Sequence, residues 1–141
     1  TSLRTLVLSH VNVTDAGLKH LAGLTSLIRL DLGQAESEGV AITDAGLAHL
    51  SGLTSLTELN LDTNNGFTDA GLEHLAKLTS LAKLNLNWTQ ITDKGLARLA
   101  PLAQLEALEV YGVDVSRDAA SGLAAQSPEL VILPRTLREG P

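Results

Sequence analysis

The sequence predicts an α/β fold: a right-handed solenoid with a parallel β-sheet on its concave side and short helices on its convex side. The first observation is a repeated string, since TDAGL occurs at residues 14–18, 43–47 and 68–72, and TDKGL follows at residues 92–96 in the same register. An L-x-x-L-x-L pattern precedes each copy, and leucines at every third position follow it. Such short units cannot bury their apolar sides alone, so stacking must create a shared core.

The repeats also predict the domain organisation. Units cover residues 1–24, 25–53, 54–78 and 79–102, followed by a degenerate fifth repeat with a C-terminal cap at 103–136 and a tail at 137–141. Because a repeat array has one continuous core, we expect a single domain over residues 1–141. The chain begins on a repeat boundary without Met, and we interpret it as a fragment of a larger protein or a processed product.

Each unit is expected to begin with a short strand. In the fourth unit the strand covers about residues 82–87, with Leu84 and Leu86 facing the core and Lys83, Asn85 and Asn87 facing outward, since side chains alternate along a strand. A strand, a crossover helix and a parallel strand form a right-handed unit in nearly all proteins, which predicts the handedness of the coil. Residues 128–133 resemble a sixth and final strand.

A short helix is expected to follow each strand. In the fourth unit Ile91 returns to the core, Thr92 caps the helix, and Asp93 lies in the first turn, where the helix dipole favours an anion. The leucines at 96, 99 and 102 form one apolar stripe along it. Glycine lowers helix propensity by about 1 kcal/mol relative to Ala, so we interpret the glycines of the first turns as backbone packing sites: Gly17, Gly46, Gly71 and Gly95.

Three segments depart from the repeat. The second unit carries extra residues within 34–41, and the third around 64–66; both insertions fall at the strand-to-helix edge, where solenoid insertions emerge. The segment SRDAASGLAAQS replaces the TDxGL pattern near the C-terminus, and atypical terminal units usually cap the core. The first unit has no such cover, so we expect an exposed apolar edge formed by Leu3, Leu6, Leu8, Leu18 and Leu21.

Composition excludes several classes of partner. The formal net charge is −6 and the ten Lys and Arg residues are scattered, which makes nucleic acid and acidic membrane surfaces poor partners. No apolar run approaches the roughly 20 residues that a spanning helix needs. Cysteine is absent, which excludes disulfide caps and favours a reducing compartment such as the cytoplasm.

The titratable columns do not predict a metal site or a catalytic site. His20, His49 and His74 share one repeat position but lack carboxylates at ligand spacing, so we expect surface or packing histidines. Neighbouring residues on a strand point to opposite faces, so Ser9 and His10 cannot form a triad with Asp31. No nucleophile, zinc or phosphate-binding motif occurs. One aspartate also recurs at the start of each helix: Asp15, Asp44, Asp69 and Asp93. The helix dipole favours an anion there, so a calcium-binding site is not needed to explain these residues. We therefore predict no enzyme activity and no cofactor.

The repeat L-x-x-L-x-L-x-x-T/N-x-I/V-T-D-x-G-L-x-x-L-x-x-L resembles the TDxGL class of bacterial leucine-rich repeats over about residues 1–115. It is also similar to the repeats of ribonuclease inhibitor and of F-box substrate receptors. The resemblance implies protein recognition through the concave face and no chemistry of its own. Where the commonest such repeats place an asparagine ladder, this chain has Val11, Asn64, Thr89 and Val113, so only Asn64 and Thr89 can hydrogen-bond through their side chains.

Three rows of outward side chains are expected to cross the sheet. The first is Thr5, Arg29, Glu58, Lys83 and Ala107; the second is Val7, Asp31, Asn60, Asn85 and Glu109; the third is Ser9, Gly33, Asp62, Asn87 and Tyr111. Aromatic residues make up only 2% of the chain, and the repeat does not require an aromatic side chain at Trp88 or Tyr111. Tryptophan and tyrosine are enriched at interface hot spots. We therefore predict a protein-binding surface centred on these two residues and flanked by Lys83, Asn85, Asn87, Glu109 and Asp62, with Glu58, Asp31 and Arg29 beside it.

These observations favour a non-enzymatic protein–protein interaction module that recognises an unknown protein on the concave sheet face and the strand-to-helix edge. Two alternatives remain at this stage. The chain could be a structural element that self-associates through the uncapped Thr1 end. It could also be a substrate adaptor for a larger effector or ligase.

Overall fold

The computed structural model describes residues 2–34, 42–133, 137 and 139. Strands and helices alternate along the whole described chain. The strands are β1 (Thr5–Val7), β2 (Arg29–Asp31), β3 (Glu58–Asn60), β4 (Lys83–Asn85), β5 (Ala107–Glu109) and β6 (Val131–Leu133). The helices are α1 (Asp15–Lys19), α2 (Asp44–Leu50), α3 (Leu72–Leu75), α4 (Asp93–Ala97) and α5 (Arg117–Ala124).

The strands form one parallel sheet in chain order, from β1 to β6. The register pairs Arg29 with Glu58 and Glu58 with Lys83, as the first outward row predicts. The second row is paired in the same way along the sheet. The predicted α/β solenoid, with its sheet on one side and its helices on the other, is therefore confirmed.

The core is built from the leucines of the repeat. Leu59 and Leu84 point inward from the middle strands and are each 2% exposed. Phe67 is fully buried at the position that Ile91 holds in the next unit. Strand β4 is shorter than the predicted 82–87, although the backbone hydrogen bonds to the neighbouring unit continue as far as residue 88.

The helices are also shorter than the leucine stripe suggests. Helix α4 ends at Ala97, so Leu99 and Leu102 lie in the turns that follow it rather than on the helix. Both side chains are nevertheless 1% exposed. The spacing of three therefore predicts burial correctly, while the helix ends about one turn earlier than expected.

The aspartate of each TDxGL motif binds the next repeat, a contact that the sequence reasoning missed. Asp69 Oδ1 accepts a hydrogen bond from the backbone N–H of Thr92 (2.8 Å), and Asp69 Oδ2 accepts one from the Thr92 hydroxyl (2.6 Å). We call this pair of hydrogen bonds an Asp bridge. The same bridge joins Asp15 to Thr43, Asp44 to Thr68, and Asp93 to Ser116.

The motif glycines make room for these bridges. A Cβ atom on Gly95 would overlap Asp69 Oδ1, and one on Gly71 would lie 2.5 Å from Asp44 Oδ1. Gly46 meets Asp15 in the same way. The interpretation of these three glycines as packing sites is confirmed. It is wrong for Gly17, where the nearest atom to an added Cβ is 3.7 Å away.

The buried polar position after the strand contributes one hydrogen bond between units. Asn64 is 1% exposed, and its Nδ2 donates to the carbonyl of Leu32 in the preceding unit (2.9 Å). The Thr89 hydroxyl donates only within its own unit, to Leu86 O at 2.7 Å. Val11 and Val113 supply no side-chain hydrogen bond, so these positions do not form a continuous ladder.

The two ends of the array can be compared with the predicted exposed edge and the predicted C-terminal cap. Leu3 is 40% exposed at the first unit and Leu21 is partly buried, but Leu18 is fully buried, so its place in the predicted exposed edge is wrong. At the other end, α5 begins after Ser116, whose hydroxyl accepts a hydrogen bond from Ala119 N. Most of the predicted insertion at 34–41 lies outside the described residues.

Candidate protein-binding surface on the sheet

The first outward row is an ion-pair row formed by Arg29, Glu58 and Lys83. Glu58 lies 3.5 Å from the Arg29 guanidinium and 3.0 Å from the Lys83 ammonium. Both cations are more than half exposed, so each pair contributes only about 0.2–1 kcal/mol. The alternating charges of this row therefore neutralise one another.

The second row closes the turns at the ends of the strands. Asp31 Oδ1 accepts from Gly33 N, Asn60 Oδ1 accepts from Asp62 N, and Asn85 Oδ1 accepts from the backbone two residues further on. Short Asp and Asn side chains commonly satisfy the backbone two residues ahead in this way. Asp31 also accepts from Asn60 Nδ2 at 2.9 Å.

Glu109 breaks this pattern in the fifth unit. Its side chain is one methylene longer than Asp, and the backbone N–H two residues ahead, that of Tyr111, donates instead to Asn87 Oδ1 on the neighbouring strand (2.7 Å). Asn87 Nδ2 donates to Glu109 Oε2 at 3.0 Å. One asparagine thus orients both Glu109 and Tyr111.

The chain turns sharply after the strand in four units. His10, Thr63 and Trp88 have φ angles of 62°, 61° and 55°, and Gly112 has 69°. The left-handed region costs a non-glycine residue roughly 1–2 kcal/mol, and it is rare for bulky residues. Nothing in the spacing of leucines predicts this conformation, because only one of the four residues is glycine.

Trp88 and Tyr111 form an aromatic pair at this turn. Their ring centroids are 5.0 Å apart, with planes inclined at 75° in an edge-to-face arrangement. Any Cβ at Gly112 would overlap the Trp88 ring, so the glycine allows the indole to pack over its backbone. Trp88 and Tyr111 remain 52% and 54% exposed. The pair is therefore positioned by its neighbours while presenting much of its aromatic surface to solvent.

The structure divides the predicted site residues into separate groups. Trp88, Tyr111, Asn87 and Glu109 form one contiguous group through the contacts above. Lys83 belongs to the ion-pair row, four residues and roughly 13 Å along the strand from the third row. Asp62 accepts a hydrogen bond from its neighbour Thr63 (3.0 Å). The remaining predicted residues, Arg29, Asp31, Glu58 and Asn85, line a shallow depression of about 210 Å³ across the middle strands. Lys83 and Glu109 line the same depression, so the groups adjoin one another.

The helical side carries the histidine column. His20 is exposed, while His49 and His74 are half-buried. In the fourth unit Arg98 occupies the repeat position that the histidines hold in the first three units. It forms an ion pair with Glu73. Within the described residues, no three His, Asp or Glu side chains are grouped as a metal site requires. In that same part of the chain, no helix is long and apolar enough to cross a membrane.

Comparisons with known proteins agree with this architecture. A family model described as Leucine Rich repeat matches residues 1–22, 52–76 and 77–100, just over half of the chain. A search of curated protein sequences found no match.

Solved structures of two internalins from Listeria monocytogenes are similar in fold. Internalin C2 is 23% identical with a TM-score of 0.57, over 91% of this chain and 69% of that protein chain. Internalin F is 19% identical with a TM-score of 0.55, over 95% of this chain and 41% of the other. The chain therefore spans less than half of the internalin F structure. The matching family model and the repeated strand–helix units together show that this chain belongs to the leucine-rich repeat family.

Proposed function

We propose that the chain is a non-enzymatic protein-binding module whose ligand contacts the sheet face and the strand-to-helix edge, centred on Trp88 and Tyr111. The observation that carries the proposal is the half-exposed aromatic pair, which the repeat does not require for its core. Solenoids of this type generally use the sheet side for recognition. Trp and Tyr are the side chains most often found at interface hot spots.

The shape of the sheet face supports a macromolecular ligand. The depression over the middle strands measures about 210 Å³, whereas small-molecule pockets usually enclose roughly 300–1,000 Å³. The face also combines exposed rings with side chains that already have hydrogen-bond partners. A rigid, shallow surface of this kind favours an extended protein contact over the enclosure of a metabolite. As part of the same proposal, we assign the repeats to the TDxGL class.

The aromatic contact can be tested with matched baits. Parent protein and the Trp88→Ala and Tyr111→Ala variants are used to capture partners, and the affinity of any partner is then measured by calorimetry. Truncation of a hot-spot side chain costs at least about 2 kcal/mol, so each variant should bind at least tenfold more weakly while melting near the parent temperature.

Val7→Ala is the matched control for this experiment. Val7 is 54% exposed on β1, four strands away from Tyr111, and its truncation should leave the affinity unchanged. Unchanged affinity in both aromatic variants would contradict the proposed centre of the surface. The interface would then move first to the insertion at 34–41.

Self-association through the first unit is the second candidate. Leu3 is 40% exposed there, and Leu6, Leu8 and Leu21 are only partly buried, so the core has an incompletely covered side. Sedimentation velocity over a range of concentrations tests this candidate. Concentration-dependent association that a Leu6→Asp substitution abolishes would support it, and a monomer at all concentrations would exclude it. Adaptor function would need a partner domain that the described residues do not include.

A further inference from the structure

We propose that Trp88, Tyr111 and Glu109 form a receptor for an arginine side chain presented by a basic segment of the protein ligand. This inference rests on the proposed function, since it specifies the chemistry of the ligand at the same surface. Three observations support it: the state of the Glu109 carboxylate, the arrangement of the two rings, and the charge of the surrounding sheet face.

The Glu109 carboxylate does not accept the backbone hydrogen bond that the equivalent side chains of the second row accept in the earlier units. Asp31, Asn60 and Asn85 each accept from the backbone two residues ahead. In the fifth unit Asn87 takes over that role, so the Glu109 carboxylate is not needed to close its turn. The Glu109 carboxylate accepts a hydrogen bond from a neutral amide, Asn87 Nδ2 at 3.0 Å, and the residue is exposed.

The aromatic pair supplies surfaces that attract a cation. The negative face of an indole or phenol ring binds a guanidinium or ammonium group within about 6 Å of the ring centroid. The two rings pack edge to face, with centroids 5.0 Å apart, and both residues remain about half exposed, so ring surface is open to a cation. Arginine suits this arrangement better than lysine, because its planar guanidinium can stack on a ring and still hydrogen-bond a carboxylate in its own plane.

The charges on the sheet face favour the same ligand. In the three outward rows, the cations are Arg29 and Lys83, and both pair with Glu58. The other carboxylates of those rows, Asp31, Asp62 and Glu109, make hydrogen bonds to neutral groups. No cation among the described residues forms an ion pair with Glu109. Within residues 2–34 and 42–133, the carboxylates beside the rings therefore carry negative charge that no ion pair offsets, which attracts a basic segment and repels an acidic one.

The experiment uses the full chain and its single tryptophan. Trp88 is the only Trp in the sequence, so its fluorescence reports directly on this surface. The probes are acetyl-Gly-Arg-Gly-amide and three counterparts in which citrulline, lysine or glutamate replaces arginine. Citrulline keeps the shape and most hydrogen bonds of arginine but removes the charge. We expect a saturable fluorescence change with the arginine peptide at low ionic strength, weakened by added salt.

The expected selectivity is about tenfold or more over the citrulline peptide, which corresponds to ~1.4 kcal/mol. Glu109→Gln and Tyr111→Leu should each weaken binding of the arginine peptide several-fold without changing the melting temperature. Glu129→Gln is the matched control: it removes one negative charge from an exposed residue before β6, at the opposite end of the strands from Tyr111, and should leave binding unchanged.

Any one of three results would overturn the inference. If the citrulline or glutamate peptide binds as tightly as the arginine peptide, the surface does not select a cation. If no saturable change occurs with the arginine peptide, or if Glu129→Gln weakens binding as much as Glu109→Gln, there is no arginine receptor at this position. Each of these results leaves the proposed protein-binding function to its own test, which is the loss of partner affinity in Trp88→Ala and Tyr111→Ala.

Discussion

Each repeat has two corners, one where the helix begins and one where the strand ends. The residue types found at the two corners are restricted to different extents. At the corner where the helix begins, Thr, Asp and Gly recur because each contacts the neighbouring unit, as in the bridge from Asp69 to Thr92 beside Gly95. At the corner where the strand ends, the same left-handed backbone is held by His10, Thr63, Trp88 and Gly112. Residue identity is therefore restricted where side chains join units, and variable where they face solvent.

The largest expected effect lies in the core between the two corners. Leu84→Ala removes a side chain that is 2% exposed in the middle of the sheet, and should lower the free energy of unfolding by about 2–5 kcal/mol. Asn85→Ala on the outward face is the control and should cost no more than about 1.5 kcal/mol, the value of one hydrogen bond. Denaturant melts measure both. Equal losses would mean that the strand faces are assigned the wrong way round.

The glycines of the helix-start corner give the next largest contrast. Gly95→Ala places a methyl group against Asp69 Oδ1, and we expect a loss of about 1–3 kcal/mol from overpacking. Gly17→Ala, at the same motif position, meets nothing closer than 3.7 Å. It should stabilise the protein by about 0.4–1 kcal/mol, because alanine restricts the unfolded chain. Thermal melts of the two variants should shift in opposite directions, and a shift of the same sign would contradict the packing role.

Removal of one Asp bridge should cost a comparable amount. Asp69→Ala eliminates two hydrogen bonds to Thr92 and should destabilise by about 1–3 kcal/mol. The same substitution removes the Asp69 carboxylate, which an added Cβ at Gly95 would overlap, and leaves Leu72 Cδ1 at 3.1 Å. In an Asp69→Ala background, Gly95→Ala should therefore cost much less than it does alone. A double-mutant cycle measures this coupling, and strictly additive losses would show that aspartate and glycine act independently.

The smallest effect is expected at the strand-end corner. Thr63→Gly relieves a left-handed φ of 61°, a gain of roughly 1–2 kcal/mol, but increases the entropy of the unfolded chain by a comparable amount. The free energy of unfolding should stay within about 1 kcal/mol of the parent value in denaturant melts. A loss as large as that of Gly95→Ala would mean that this corner is as restricted as the other.

The contrast between the corners also explains what the sequence could predict. The spacings of two and three residues between leucines indicate which side chains are buried, so the sheet register and most of the core could be predicted from the sequence. The Asp bridge was missed because Asp93 in a first helical turn already has a local explanation in the helix dipole. Its contact with Ser116 depends on how consecutive units stack.

The candidate site was only partly accessible to sequence reasoning. The outward rows placed Tyr111 and Glu109 on the sheet face, and composition made Trp88 conspicuous. Two features depend on three-dimensional contacts between units: the left-handed turn that positions the indole, and the use of Asn87 in place of Glu109 to hold the Tyr111 backbone. No local pattern in one repeat encodes either feature.

The Asp bridge gives the array a chemical polarity, with a hydroxyl-bearing head and a carboxylate-bearing tail on each of the four TDxGL units. The head of the first unit is Thr14, which no carboxylate reaches in the described part of the chain, while the fifth unit has Arg117 where a tail would carry Asp. Two copies meeting head to head would oppose two hydroxyl groups, and head to tail would oppose a hydroxyl and a guanidinium. Self-association at this edge would therefore lack the Asp bridge that joins consecutive units within the chain, and would depend mainly on leucine contacts.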